Sequence, residues 1–189
     1  MRNYTKNAIK TSFLKLLNEQ PLGKISVRSI VEDCGINRNS FYYHYQDIPA
    51  LVEEIVRDAC DALIAQYPDI SSLDEGVEAA LHFAQENRRA VLHIYQSANR
   101  EIYERYSMQL CEYIAQRYLD TLFGPAAVCE GDRMLFIQGL KCTLYGLGQD
   151  WIMSGMKEDL APRARRTAVL FRGLGAELIR RSNASPSVE

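Results

Sequence analysis

Gly35-Ile36-Asn37-Arg38-Asn39-Ser40-Phe41-Tyr42-Tyr43-His44-Tyr45 sets four small or basic polar residues directly in front of five aromatic or imidazole rings. One helix face can bury only some of those rings. Asn37 is placed to cap a helix, and within it Phe41 and Tyr45 stand four residues apart, so they share a face with Ile36 toward a core. Arg38, Asn39 and Tyr42 fall on another side, with Ser40 and Tyr43 beside them and His44 at the edge. Rings held outside a core next to Arg, Asn and Ser suit a phosphate and base-edge surface. Hydroxyls and an imidazole N–H donate to phosphates, while Arg and Asn match the major-groove edges of guanine and adenine. About eight residues make a rod of roughly 12 Å, comparable with the width of the major groove. Free amides and the positive dipole end of the helix add a place for a phosphate.

Reading outward, residues 26–45 spell short helix, glycine turn, short helix, the spacing of a helix-turn-helix. Ser26 is placed to cap the first of the two through Val27, Ile30 and Val31, and Gly35 supplies the positive φ that ends it. Upstream, Ile9, Phe13, Leu14, Leu16 and Leu17 recur at helical spacing until Pro21 and Gly23 break the pattern. Downstream, Asp47 followed by Pro49 signals the start of a longer helix over 48–66. Beyond Tyr67-Pro68-Asp69, the box Ser72-x-x-Glu75 starts another helix. Helical patterning continues through 88–97, 100–122, 128–154 and 161–182, with Gly124-Pro125, Gly155 and Pro162 as breaks and a frayed tail at 183–189. No segment alternates with period two. The reading is all-α, about nine helices.

The 189 residues are enough for one good core or for a small domain attached to a larger one. No apolar run approaches the length that crosses a bilayer, and no basic segment leads into an apolar one, so the expected compartment is the cytoplasm, with no membrane partner. The five cysteines, Cys34, Cys60, Cys111, Cys129 and Cys142, are odd in number and lack a Cys-x-x-Cys pair, which reads as reduced thiols in a core. The net charge of -2 hides an asymmetry: residues 1–48 hold seven Lys/Arg against four Asp/Glu, leaving that segment positive and the remainder negative.

GINRNSFYYHYQDIPALVEEI resembles the third and fourth helices of the TetR family of transcriptional regulators, in which Gly-Val-Ser, a few polar residues and Leu-Tyr-x-His-Phe precede an acidic, leucine-rich fourth helix. The likeness covers residues 5–60. It implies a DNA-binding head at 1–47, of three helices, joined by the helix at 48–66 to a regulatory and dimerisation body at 48–182, with control by a small ligand. By position, Ser26 and Arg28 are expected at the DNA backbone or groove edge. Arg38, Asn39 and Ser40 are expected at bases and phosphates, and Tyr42, Tyr43 and His44 at phosphates. Where many members carry a lysine before the fourth helix this chain has Ile48, so that phosphate contact is absent or supplied by Gln46 or a backbone amide. Leu135-Phe136-Ile137-x-Gly139 through Trp151-Ile152-x-Ser154-Gly155-Met156 is similar to regulators of the dihydroxyacetone-kinase-activator type, a group with members that sense through a protein partner.

The body carries more polar-tipped rings than a tight core requires, which points to a pocket with His82, Tyr95, Tyr103, Tyr106, Gln138, Tyr145 and Trp151 as candidate ligand contacts. No basic cluster marks an anionic effector and no acidic cage a cation; no cofactor is expected. A homodimer on a palindromic double-stranded operator is expected, built from the last two helices of each subunit. Leu140, Leu144, Leu147, Val169, Leu170, Leu174 and Leu178 supply its apolar area, and small residues such as Gly139 and Gly146 allow close approach.

Two other classes compete. As an enzyme the chain offers His82 and His93 without a helical His-x-x-x-His pair. Gly146-x-Gly148 and Gly173-x-Gly175 lie inside helical patterns with no strand before them, and no nucleophile comes with an obvious base. As an activator or co-regulator controlled by a protein partner it would share the fold, and a co-regulator without DNA binding would not need Arg38, Asn39, Ser40, Tyr42 and His44.

Overall fold

The computed structural model describes residues 2–66, 73–123, 128–171 and 174–184. Every regular element among them is helical. In chain order these are α1 (Arg2–Glu19), α2 (Val27–Asp33), α3 (Arg38–His44), α4 (Ile48–Gln66), α5 (Leu73–Glu86), α6 (Arg88–Tyr95), α7 (Arg100–Phe123), α8 (Glu130–Met153), α9 (Ala161–Phe171) and α10 (Leu174–Ala184), with a 3-10 turn at Leu22–Lys24. The stretch read as one helix over 161–182 is described as α9 and α10, and residues 172 and 173 between them lie outside the described residues. Helix α10 runs to Ala184, two residues past the expected end of the last helix at 182. The expected cap Ser72 and the Gly124-Pro125 break also lie outside the described residues.

The chain divides into two compact units, Met1–Ala62 with Asn87–Tyr106, and Leu63–Glu86 with Ser107–Glu189. In the first, Ile9, Phe13 and Leu17 of α1, Ile30 and Val31 of α2, Phe41 and Tyr45, and Leu51 and Val52 of α4 form one buried cluster. Ala90 and Ile94 of α6 and Ile102 of α7 belong to that same cluster. The helix-turn-helix therefore shares its core with residues far downstream in sequence. Polar links reinforce the contact: Arg89 donates to the Asn18 carbonyl at 3.5 Å, and His93 Nδ1 lies 2.6 Å from the Leu17 carbonyl oxygen. Both carbonyls lie in the last turn of α1, where helix carbonyls lack intrahelical partners.

In the second unit, Ala115 and Leu119 of α7 and Ile137 of α8 pack with Phe136 and Leu140. Lys141 reaches Glu112 at 3.2 Å, and Arg165 of α9 reaches Glu78 of α5 at 2.9 Å. The C-terminal end of α8 is closed by Gly155, whose φ of 79° is the left-handed conformation that suits glycine, and by the Trp151 indole N–H donating to the Glu158 carbonyl at 2.7 Å. The expectation of five core cysteines is corrected here: Cys142 is exposed on α8 and the other four are half-buried. Helix α8 is apolar around much of its circumference, so its sequence does not mark the side that Cys142 occupies.

Candidate nucleic-acid interface

The two short helices are set by local chemistry. Ser26 accepts from the Ser29 amide at 3.1 Å while Ser29 Oγ accepts from the Ser26 amide at 3.0 Å, a reciprocal cap that satisfies two amides at the start of α2. At the other end Gly35 adopts φ 69°, and the Ile36 amide returns to the Val31 carbonyl at 3.0 Å, closing the turn. Asn37 Oδ1 accepts from the Ser40 amide at 2.8 Å and from the Ser40 hydroxyl at 3.1 Å, starting α3. Asp47 accepts from the Ala50 amide at 2.8 Å and starts α4. Each start follows the same rule, a side-chain oxygen on an orphan amide of the first turn.

Packing then sets the roll of α3. Phe41 is fully buried and Tyr45 nearly so, with ring centroids 5.8 Å apart. The opposite side carries what they leave out: Arg38 and Asn39 are exposed, and Tyr42 and Tyr43 keep 55% and 71% of their surface. Ser40 and His44 are half-buried at the edges, His44 edge-on to Tyr43 at 5.1 Å. Burying aromatic side chains is favourable, so two exposed tyrosines on one short helix are informative where a lone exposed ring is not.

The charge of the region is more neutralised than residue counts suggest. Lys6 and Lys10 pair with Glu54, Lys15 with Asp33 at 2.5 Å, and Arg28 with Glu32 at 2.7 Å. Arg38 and Lys24 are exposed and have no ion pair among the described residues. Lys24 lies two residues before Ser26, ahead of the helix-turn-helix pattern. Ile48, in place of the expected lysine, packs half-buried against the core cluster. Of the amides at the start of α4, Ala50's is taken by Asp47 and Pro49 has none.

The candidate ligand contacts are brought together only in part. Tyr95 is buried, edge-on to Tyr103 at 5.9 Å, with the Arg100 guanidinium 4.3 Å from its ring centre. Tyr106 donates to Glu53 at 3.4 Å in the same unit. His82 and Gln138 are exposed, Tyr145 is half-buried, and the Trp151 N–H is used in the α8 terminus. Of the candidate dimer residues, Leu140 and Leu144 are half-buried and Leu147 and Val169 exposed; the side chains of Leu170, Leu174 and Leu178 lie outside the described residues.

Residues 14–55 match the sequence pattern of bacterial regulatory proteins of the tetR family, and residues 71–173 match that of the transcriptional regulator C-terminal region assigned to the same family. The second match spans more than half of the chain. The protein therefore belongs to the tetR family of DNA-binding transcriptional regulators, a class of regulators rather than of enzymes. Among particular relatives, it is 34% identical over 85 residues to the HTH-type transcriptional repressor KstR2 of Mycolicibacterium smegmatis, a stretch covering 41% of this chain and 42% of that one. In fold it is similar to the dihydroxyacetone kinase operon activator DhaS, with a TM-score of 0.69, 16% identity, and 97% and 98% of the two chains covered. It is also similar to Salmonella enterica GusR, with a TM-score of 0.60, 16% identity, and 93% and 95% covered. NalD of Pseudomonas aeruginosa, the secondary repressor of the MexAB-OprM multidrug efflux pump, gives a TM-score of 0.58 at 18% identity over 92% and 98% of the chains. No helix among the described residues is long and apolar enough to cross a membrane.

Proposed function

We propose that the protein is a homodimeric, sequence-selective repressor of the cytoplasm that lays α3 in the major groove and answers to a small-molecule effector. The observation that carries this reading is the division of α3 into a buried Phe41/Tyr45 face and an exposed face of Arg38, Asn39, Tyr42 and Tyr43. Arg38 and Asn39 read base edges; Tyr42, Tyr43 and His44 hold phosphates. Ser26, Arg28 and Ser40 flank the groove, with the DNA-contacting head in residues 1–47. Because Arg28 is already paired with Glu32 and Ser40 with Asn37, these two add less than an unpaired group would. Two heads on a palindromic operator call for a second copy of the chain, and on α8 the half-buried Leu144 and the exposed Leu147, one turn apart on the same side, offer it apolar area. Tyr95, Tyr103 and Tyr106 are the residues best placed to sense an effector from within the unit that holds the head.

A second reading, an activator or co-regulator controlled by a protein partner, draws support from the exposure of His82 and Gln138. A gel shift on genomic fragments across a salt series tests the main reading. A selective complex whose affinity falls steeply with salt supports it; no complex with any fragment would sink it.

A further inference from the structure

Glu54 stands in the second turn of α4, outside the exposed face of α3, and its side chain is only 15% exposed. Its carboxylate nevertheless gathers groups from two other elements. From α1, Lys6 Nζ lies at 2.8 Å and Lys10 Nζ at 2.5 Å. From the residue that ends α3, the Tyr45 hydroxyl donates at 3.4 Å. Lys10 continues to Asp58 one turn along α4 at 2.5 Å, and the Lys6 ammonium lies 5.7 Å from the Tyr45 ring centre. All three converge on one oxygen, Oε1, so Lys6, Lys10 and Tyr45 meet at a single point of the carboxylate.

The balance of effects favours an ionised hub. Burial works against the charge of Glu54, but the hydrogen bonds and charges of Lys10 and Lys6 outweigh it and hold the carboxyl below its ordinary range. Lys10 mirrors this, burial opposing its charge and Asp58 and Glu54 restoring it. Partly buried pairs are screened less by salt than the exposed Arg28–Glu32 pair on α2.

Helix α3 needs such a joint. Its start is fixed locally by Asn37 and the Gly35 turn, and its roll by Phe41 and Tyr45, but apolar contact is non-directional, and the directional contact at the far end of the helix is the Tyr45 hydroxyl on Glu54. Bidentate reading of a base edge tolerates displacements of only about 0.5 Å. We propose that Glu54 is a positioning residue for DNA recognition: its carboxylate ties α1, the C-terminal end of α3 and α4 together, and selectivity for the operator depends on that tie. The inference rests on the DNA-binding reading above.

The test is fluorescence anisotropy with the operator that the full-length wild-type chain enriches from random duplexes, beside a random-sequence duplex. Glu54→Gln keeps the shape and removes the charge. It is expected to bind the operator about tenfold more weakly and the random duplex within about twofold of wild type. A purely structural defect lowers the folded fraction and weakens both together. Tyr45→Phe, which keeps the ring in the core, is expected to shift operator affinity in the same direction by less. The double variant should lose less than the two single losses combined, because they share one hydrogen bond. Should Glu54→Gln lose its helical circular dichroism, Tyr45→Phe carries the same selectivity test. Operator affinity of Glu54→Gln within about twofold of wild type, or equal losses on both duplexes, would overturn the inference. A wild-type chain that enriches no operator would overturn the DNA-binding reading itself, and the inference with it.

Discussion

Arg38 and Tyr42 stand one helical turn apart on the exposed face of α3, and their chemistry separates them. A guanidinium forks onto a guanine edge, so Arg38→Ala is expected to cost about 1–3 kcal/mol of operator binding, concentrated at one base position. Tyr42→Phe removes the hydroxyl proposed to meet a phosphate and should weaken operator and random DNA alike. Anisotropy on both duplexes, with base substitutions in the operator, checks the pair; equal losses for Arg38→Ala would remove it from the base readers. Acid behaviour is decided at this scale too. Glu54 is held below the ordinary carboxylate range, its lysine partners outweighing burial, and Asp33 is lowered by its hydrogen bond from Lys15 and then Ser12. A depressed folded-state pKa gives stability that is complete above the unfolded value, about 4.3 for Glu, and is lost as pH falls through the folded value. Thermal melts should therefore be flat from neutral pH to about 5 and fall below about 4.3, with a shallower fall in Glu54→Gln. An unchanged acid slope in that variant would contradict the assignment.

The starts of α2, α3 and α4 were legible from sequence because their chemistry is local: Ser26, Asn37 and Asp47 each meet a partner three residues away, and Gly35 needs only its own φ. Removing the α3 cap by Asn37→Ala should cost about 1 kcal/mol of stability in chemical denaturation. The inward face of α3 was legible for the same reason, Phe41 and Tyr45 being four apart. Three things were not. Placing α6 against α1 takes contacts such as His93 to Leu17, 76 residues apart, which no spacing rule reaches. Glu54 reads as an ordinary acidic position on a helix until Lys6, Lys10 and Tyr45 are seen around it. The tyrosines of the body carry the same pattern whether they pack or line a pocket, so the contact of Tyr95 with Tyr103 is not readable from it. On α8, a Cβ built at Gly146 meets nothing within 4 Å, so Gly146→Leu should leave the helical content of the subunit intact. If α8 packs against a second copy there, the same change should dissociate the dimer in sedimentation. A dimer of unaltered strength would place the contact elsewhere.

Considered as a whole molecule, the chain joins a head whose helix starts are set locally to a C-terminal region that lends α6 and the start of α7 to the same compact unit as the head. An effector acting on Tyr103, or on Tyr95 edge-on to it, would therefore act next to the core that α1 and α3 share. A typical coupling of about 1–3 kcal/mol would change DNA affinity roughly 5–150-fold, and operator DNA would change effector affinity by the same factor. The central claim, that paired α3 helices read a specific sequence, is tested most directly by selection of bound duplexes from a random library at fixed salt. Enrichment of a two-fold symmetric site is expected, with half-sites one or more turns apart, in steps of roughly 34 Å. A bound pool with no enriched sequence, or one recovered equally by a chain carrying Arg38→Ala and Asn39→Ala, would contradict it.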